Sequence, residues 1–111
     1  MDKLDKYRQI VQDLLTGYVA DNILGGVIES TTVFDLKYDR YLLVDFGWNG
    51  QRRIYNCLIH LEIRSGKIWI QRNQTDCSLT EELLDKGVVK EDIVLGFQPP
   101  NLRKYTGLGV G

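Results

Sequence analysis

Leu4, Tyr7, Val11, Leu14, Leu15 and Tyr18 recur at steps of three and four between Asp2 and Tyr18, which gathers them on one face of a helix. Such a stripe predicts a helix lying on a sheet. Gly17 and the later Gly25-Gly26 weaken helical order and mark a turn or loop before the next element. From Val27 to Arg72 the pattern changes: Val, Ile, Thr, Tyr and Phe dominate, interrupted by short turn signals, as in successive strands.

Two of those turns predict strand registers. Asn49-Gly50 suits the positive φ that a type I′ hairpin demands at both central positions, and a two-residue loop there pairs Trp48 with Gln51, Phe46 with Arg53, Val44 with Tyr55 and Leu42 with Cys57. Ser65-Gly66 gives a second tight turn that pairs Arg64 with Lys67, Ile63 with Ile68 and Leu61 with Ile70. With side chains alternating between faces, Leu42, Val44, Phe46, Tyr55, Cys57, Ile59, Leu61, Ile63, Ile68 and Ile70 fall on the face under the helix. The other face takes Tyr41, Leu43, Asp45, Ile54, Asn56, Leu58, His60, Glu62, Trp69 and Gln71, and a sheet face this apolar calls for a cover. The cover is another part of the chain, a second copy or a partner protein. For the first strand, Val33 and Phe34 point to opposite faces, and the loop around Lys37 to Arg40 fits two, three or four residues.

Beyond the sheet, Ser78-Leu79-Thr80-Glu81 has the form of a capping box opening a short helix, and Gly87 suits its left-handed C-cap. Lys90 to Asp92 forms one further turn. Gly96-Phe97-Gln98-Pro99-Pro100 is not helical, because the prolines lack amide donors and hold their predecessors extended. The remainder, from Asn101, reads as an extended arm. The fold class expected is therefore α+β: an antiparallel meander of about four strands, an N-terminal helix on one face, a short helix after the sheet and a C-terminal arm.

A chain of 111 residues, 43% hydrophobic and 26% charged, suits one domain spanning residues 1–111 that closes its core without metals or disulfides. No apolar run is long enough for a membrane span, and the N-terminus lacks the pattern of a secretory signal, so a cytoplasmic location is expected. Cys57 and Cys77 do not form a metal knuckle and are expected as reduced thiols. The net charge is −1, unevenly spread. Arg52, Arg53, Arg64, Lys67 and Arg72 against Glu62 give residues 51–72 a net +4, whereas Asp76, Glu81, Glu82, Asp85, Glu91 and Asp92 against Lys86 and Lys90 give residues 73–95 a net −4. An isoelectric point near 5.8 argues against strong non-specific DNA binding.

Several stretches together resemble one family: Gly47-Trp48-Asn49-Gly50, Arg52-Arg53-Ile54-Tyr55, Ile59-His60 and Gly66-Lys67-Ile68-Trp69-Ile70-Gln71. The segments from Lys90 to Pro100 and Arg103-Lys104-Tyr105-Thr106-Gly107 complete the match. In order and over essentially the whole chain they look like the XisI family of cyanobacterial excision controlling factors, which take part in excision of the fdxN element during developmental genome rearrangement. The chain departs from the family at Val89, where a proline is usual. The resemblance implies a companion protein, XisH, of nuclease-like appearance, and a recombinase; it supplies no catalytic residues.

Catalytic chemistry finds little support in the residues. His60 is the only histidine and, opposite Gln71, reads as a hydrogen-bonded structural residue. Asp45 with Glu62-Ile63-Arg64 loosely resembles the acid plus Glu-x-Lys set of magnesium nucleases, but arginine does not replace lysine and Glu62 faces the bulky Trp69. No cofactor or metal is expected. The expected function is a non-enzymatic accessory role in controlling DNA excision, through contact with an XisH-like companion and with self-association. Arg103, Lys104, Tyr105 and Thr106 on the arm and Trp69, Leu43, Ile54 and Leu58 on the sheet are the candidate contacts. The alternatives are a direct DNA-binding accessory factor, with Arg52, Arg53, Arg64 and Lys67 on phosphates, and a nuclease-associated enzyme subunit.

Overall fold

The N-terminal stripe becomes α1, Lys3–Asp21, in a computed structural model that describes residues 2–21 and 28–110. The expected Gly25-Gly26 turn lies outside the described residues. An Asp2 carboxylate oxygen caps the helix by accepting from the Asp5 amide at 2.8 Å. Tyr7, Ile10, Val11, Leu14, Leu15 and Tyr18 are buried along one side. The helix runs on through Gly17, whose cost of about 1 kcal/mol relative to alanine is outweighed by neighbours that each contribute roughly 1.5–3 kcal/mol on burial.

Five strands follow: β1 Ile28–Asp35, β2 Arg40–Asn49, β3 Arg52–Arg64, β4 Lys67–Asn73 and β5 Ile93–Leu95. They lie side by side in chain order, antiparallel from β1 to β4, with β5 added parallel to β4. The fold is α+β as expected, with β5 one strand beyond the meander. Asp35 pairs with Arg40, which settles the first loop at four residues. Phe34 points toward α1, while Val33 is exposed.

The second hairpin follows the expected register, with Ser65 and Gly66 both at positive φ (52° and 75°) as a type I′ turn requires. The first does not. Asn49 pairs with Arg52, so the loop is Gly50-Gln51, and only Gly50 has positive φ (63°), the sign pattern of a type II′ turn. Val44 then faces Cys57 and Phe46 faces Tyr55.

A bulge next corrects the faces. Leu43 faces Ile59 while Val44 faces Cys57, which leaves Leu58 as an extra residue in β3. One inserted residue exchanges the faces on either side of it. Tyr41 and Leu43 therefore join Ile59, Leu61, Ile63, Ile68 and Ile70 in the core beneath α1. Leu42, Phe46, Tyr55 and Cys57, expected in that core, lie on the face away from α1; Val44 is buried there outside the core cluster. A second bulge, at Gln71 in β4, places Arg72 rather than Gln71 opposite His60.

After β4, α2 spans Leu79–Asp85, with the Ser78 hydroxyl accepting from the Glu81 amide at 3.3 Å. Its C-terminus closes as a Schellman motif: the Val88 amide donates to the Leu83 carbonyl and the Gly87 amide to the Leu84 carbonyl, each at 3.0 Å, with Gly87 at φ 100°. Lys90–Asp92 make the expected single turn, of 3-10 type, leading into β5.

The arm is not simply extended. Pro100–Tyr105 form a 3-10 helix, opened by the proline whose missing amide is no loss there. The chain then returns to the sheet, where the Gly109 amide donates to the Ile93 carbonyl at 2.8 Å and Gly109 bridges Val94 in parallel. Among the described residues no helix is long and apolar enough to cross a membrane.

Candidate functional site

The face away from α1 carries the notable chemistry. Glu62, in β3 between two core residues, must point to that face because strand side chains alternate. It stands opposite Trp69, as its register predicts, and its residue is only 5% exposed. Its neighbours are basic. Arg64 Nε donates to Glu62 Oε1 at 2.7 Å, His60 Nε2 lies 2.8 Å from Oε2, and Arg40 Nε lies 3.5 Å from the same oxygen. Burial alone would raise the Glu62 pKa, but His60, Arg40 and Arg64 outweigh it and hold the group below the ordinary carboxylate value, so it is ionised at neutral pH.

Trp69 links this cluster to the C-terminal arm. The Arg64 guanidinium lies 5.6 Å from its ring centroid and that of Arg103 5.0 Å, both within cation–π range. Arg103 is fixed by its own donors, Nε to the Gln98 carbonyl at 3.1 Å and Nη2 to the Gly96 carbonyl at 3.3 Å. The Trp69 indole nitrogen is buried and has no acceptor among the described residues.

The expected contact residues divide between places. Arg103 and Trp69 meet, with Arg64 beside them. Lys104 and Tyr105 project from the arm, Tyr105 being 74% exposed. Thr106 is structural, its hydroxyl donating to the Arg103 carbonyl at 2.8 Å and accepting from the Leu108 amide at 3.0 Å. Leu43 is fully buried under α1 and reaches no open face, a direct result of the Leu58 bulge. Leu58 itself packs against the core, and Ile54 is half-buried opposite Gly47.

The basic candidates do not form one patch. Arg52 and Arg53 sit at the β2–β3 turn, with Arg53 over Trp48 at 5.2 Å, whereas Arg64 and Lys67 flank the β3–β4 turn. The rise along β3 sets the two groups roughly 35 Å apart. Asp45 and Glu62 are on opposite faces, Asp45 accepting from the Ser30 hydroxyl, so the nuclease-like set is not assembled. No group of three or more His, Cys, Asp or Glu side chains that could hold a metal is found among the described residues.

The sequence singles out Glu62 only as part of a nuclease-like set, and Arg64 in that set or on phosphates, but neither Arg40 nor the ion-pair cluster around Glu62. The available signal was charge alternating with apolar residues at His60, Glu62 and Arg64, but the partner strand's arginine depends on the bulged register. Away from this face, a cleft of about 180 Å³ between α1 and α2 is lined by Asp13, Leu14, Gly17, Tyr18, Glu82 and Lys86. There the Tyr18 hydroxyl donates to Glu82. Cys57 and Cys77 are both free thiols, and burial pushes the Cys57 pKa up, away from reactivity.

Residues 1–110 match the family described as XisI protein. A crystal structure of a XisI-like protein from Anabaena variabilis ATCC 29413 is 44% identical, with 97% of this chain and 99% of that one covered and a TM-score of 0.93. A second, of the fdxN element excision controlling factor XisI from the same organism, is 32% identical, with 99% and 100% covered and a TM-score of 0.85. No curated protein matches the chain.

Proposed function

The chain belongs to the XisI family, and from that premise we propose that it is a non-enzymatic accessory factor in the control of DNA element excision, acting through contact with a companion protein of XisH type. The observation that carries this reading is the arm folded back onto the sheet, where Arg103 lies over Trp69 while Lys104 and Tyr105 stay exposed beside it. Aromatic and arginine side chains fixed at one spot are typical anchors of protein interfaces. The excision role rests on the solved relative named as an excision controlling factor.

Direct DNA binding is the competing reading. It is disfavoured by the split of the basic side chains between two hairpin tips and by the acidic net charge.

The test is co-elution of the purified chain with a protein of XisH type, followed by calorimetric titration. The full chain is expected to form a complex, and truncation after Pro100 to weaken it at least about tenfold, as loss of anchor residues does. Absence of a complex, together with a salt-sensitive shift of labelled duplex DNA, would replace this reading with the DNA-binding one.

A further inference from the structure

The chemistry of the partner can be taken one step further, resting on the protein-contact reading above. Three arginines on the open face are each held by the Nε side of the guanidinium. Arg64 Nε is on Glu62 Oε1, and Arg40 has Nε toward Glu62 Oε2 with Nη1 donating to the Tyr38 carbonyl. Arg103 has Nε and Nη2 on the Gln98 and Gly96 carbonyls.

This leaves both Nη groups of Arg64, Nη2 of Arg40 and Nη1 of Arg103 without an acceptor among the described residues. Guanidinium planes fixed from behind, with donors left over, are pre-organised for planar oxyanions. The local charge agrees, since Arg40 and Arg64 flank one buried carboxylate and Arg103 adds a third positive charge over the neighbouring Trp69. The Trp69 ring holds two of the three in place, and its buried indole N–H also lacks an acceptor among the described residues.

We infer that Arg40, Arg64 and Arg103 form an oxyanion cradle across Glu62 and Trp69 whose occupant is the carboxylates of an acidic segment of the partner protein. Phosphates of a DNA duplex offer related oxygens, but a duplex is a long polyanion. Such a rod needs counter-charges spread along its length, whereas the three arginines form one local group on a chain of net charge −1, which suits a short acidic segment. Leu42 on the same face and Tyr105 on the arm supply apolar surface for the remainder of the segment.

The test uses the full chain labelled with 15N, following the arginine Nε–H and indole N–H signals by NMR. The probes are a capped tetraglutamate peptide, its tetraglutamine counterpart and a short DNA duplex. Tetraglutamate is expected to move the Arg64, Arg103 and Trp69 signals saturably, with tetraglutamine inert. Arg64→Gln with Arg103→Gln should weaken tetraglutamate binding at least about tenfold, and Arg52→Gln with Arg53→Gln should leave it unchanged. The unchanged remainder of the amide spectrum confirms that each variant is folded, and Arg40→Gln gives an independent measure if the double variant is not.

Signals unmoved at millimolar tetraglutamate, or moved more by the duplex, overturn the inference. The two readings fail separately. A complex with the companion protein that is insensitive to Arg64→Gln and Arg103→Gln removes the cradle and keeps the contact, whereas no complex removes the contact while the peptide titration still judges the cradle.

Discussion

Arg8 of α1 grips Asp39 in the β1–β2 loop with two parallel hydrogen bonds, Nε to Oδ1 at 2.9 Å and Nη2 to Oδ2 at 3.1 Å. Asp39 occupies a left-handed backbone position, φ 55°, which an L-residue adopts only at a cost. The fully buried Tyr41 also donates its hydroxyl to Asp39 Oδ1, at 2.9 Å. One carboxylate thus ties the helix, the loop and the core together.

Asp39→Ala is therefore expected to destabilise the protein by about 2–4 kcal/mol, combining an unpaired Tyr41 hydroxyl, a lost ion pair and a Cβ at positive φ without a compensating side chain. Asp39→Asn tolerates that backbone and can still accept from Tyr41, so it should cost about 1 kcal/mol. Urea unfolding of both variants checks the order; equal losses would show that the ion pair with Arg8, which both variants remove, decides stability there.

Acidification tests three carboxylates at once. Asp39 is held below its ordinary pKa of 3.8, chiefly by the hydrogen bond from Arg8. For Asp92, burial pushes the pKa up, but the Tyr7 hydroxyl at 2.6 Å and Lys3 at 3.0 Å more than offset it. Glu62 is likewise held below 4.5. In each case the unfolded state binds the proton more readily. The stabilisation is thus complete above 3.8 to 4.5 and is lost as the pH falls through the lower folded values. The urea midpoint should hold steady above that range and decline below it, less steeply in Glu62→Gln and Asp92→Asn. A midpoint that rises on acidification contradicts the assignment.

At Gly109 the arm meets the sheet so closely that a Cβ would run into the Glu91 carbonyl oxygen. Gly109→Ala should therefore release the arm while leaving the core intact. Trypsin cleavage after Arg103 or Lys104 is expected to accelerate several-fold, with little change in the urea midpoint, because local opening and global unfolding are separate events. Unchanged cleavage would show that contacts other than the Gly109 return, such as those of Arg103 and Leu108, hold the arm.

How far the sequence speaks for the structure depends on the range of the contact that decides each feature. The α1 stripe, the Ser65-Gly66 turn and the Ser78 cap were legible because each is settled within a few residues. The first hairpin differs because Gly50 serves a turn at Gly50-Gln51 as well as one at Asn49-Gly50, and the faces differ because Leu42, Leu43 and Val44 are all apolar, so alternation gives β2 no preferred side. Of the candidate site, Arg103 and Trp69 were recognised separately, but their meeting depends on β5 and on the glycine-specific return of the arm at Gly109, which no local pattern encodes. Arg40 joins Glu62 only through the register that the bulge creates.

That bulge yields the sharpest test of the fold. Leu58 is half-buried and packs against the core, so Leu58→Ala removes part of an apolar contact and should cost about 1–2 kcal/mol, below the range for a fully buried leucine. Deleting Leu58 is a different perturbation. If the β2–β3 turn stays in place, the strand beyond it must realign by one residue, which turns Ile59, Leu61 and Ile63 away from α1 and drives Glu62 into the core. Alternatively the turn slips, and Gly50 no longer occupies the position at which its φ of 63° is required. Both routes remove most of the apolar surface on which α1 rests, so the deletion is expected to abolish cooperative unfolding, read by circular dichroism during a urea titration. A deletion variant that unfolds cooperatively near the parent midpoint would mean that the extra residue in β3 is accommodated elsewhere and does not set the faces of the sheet.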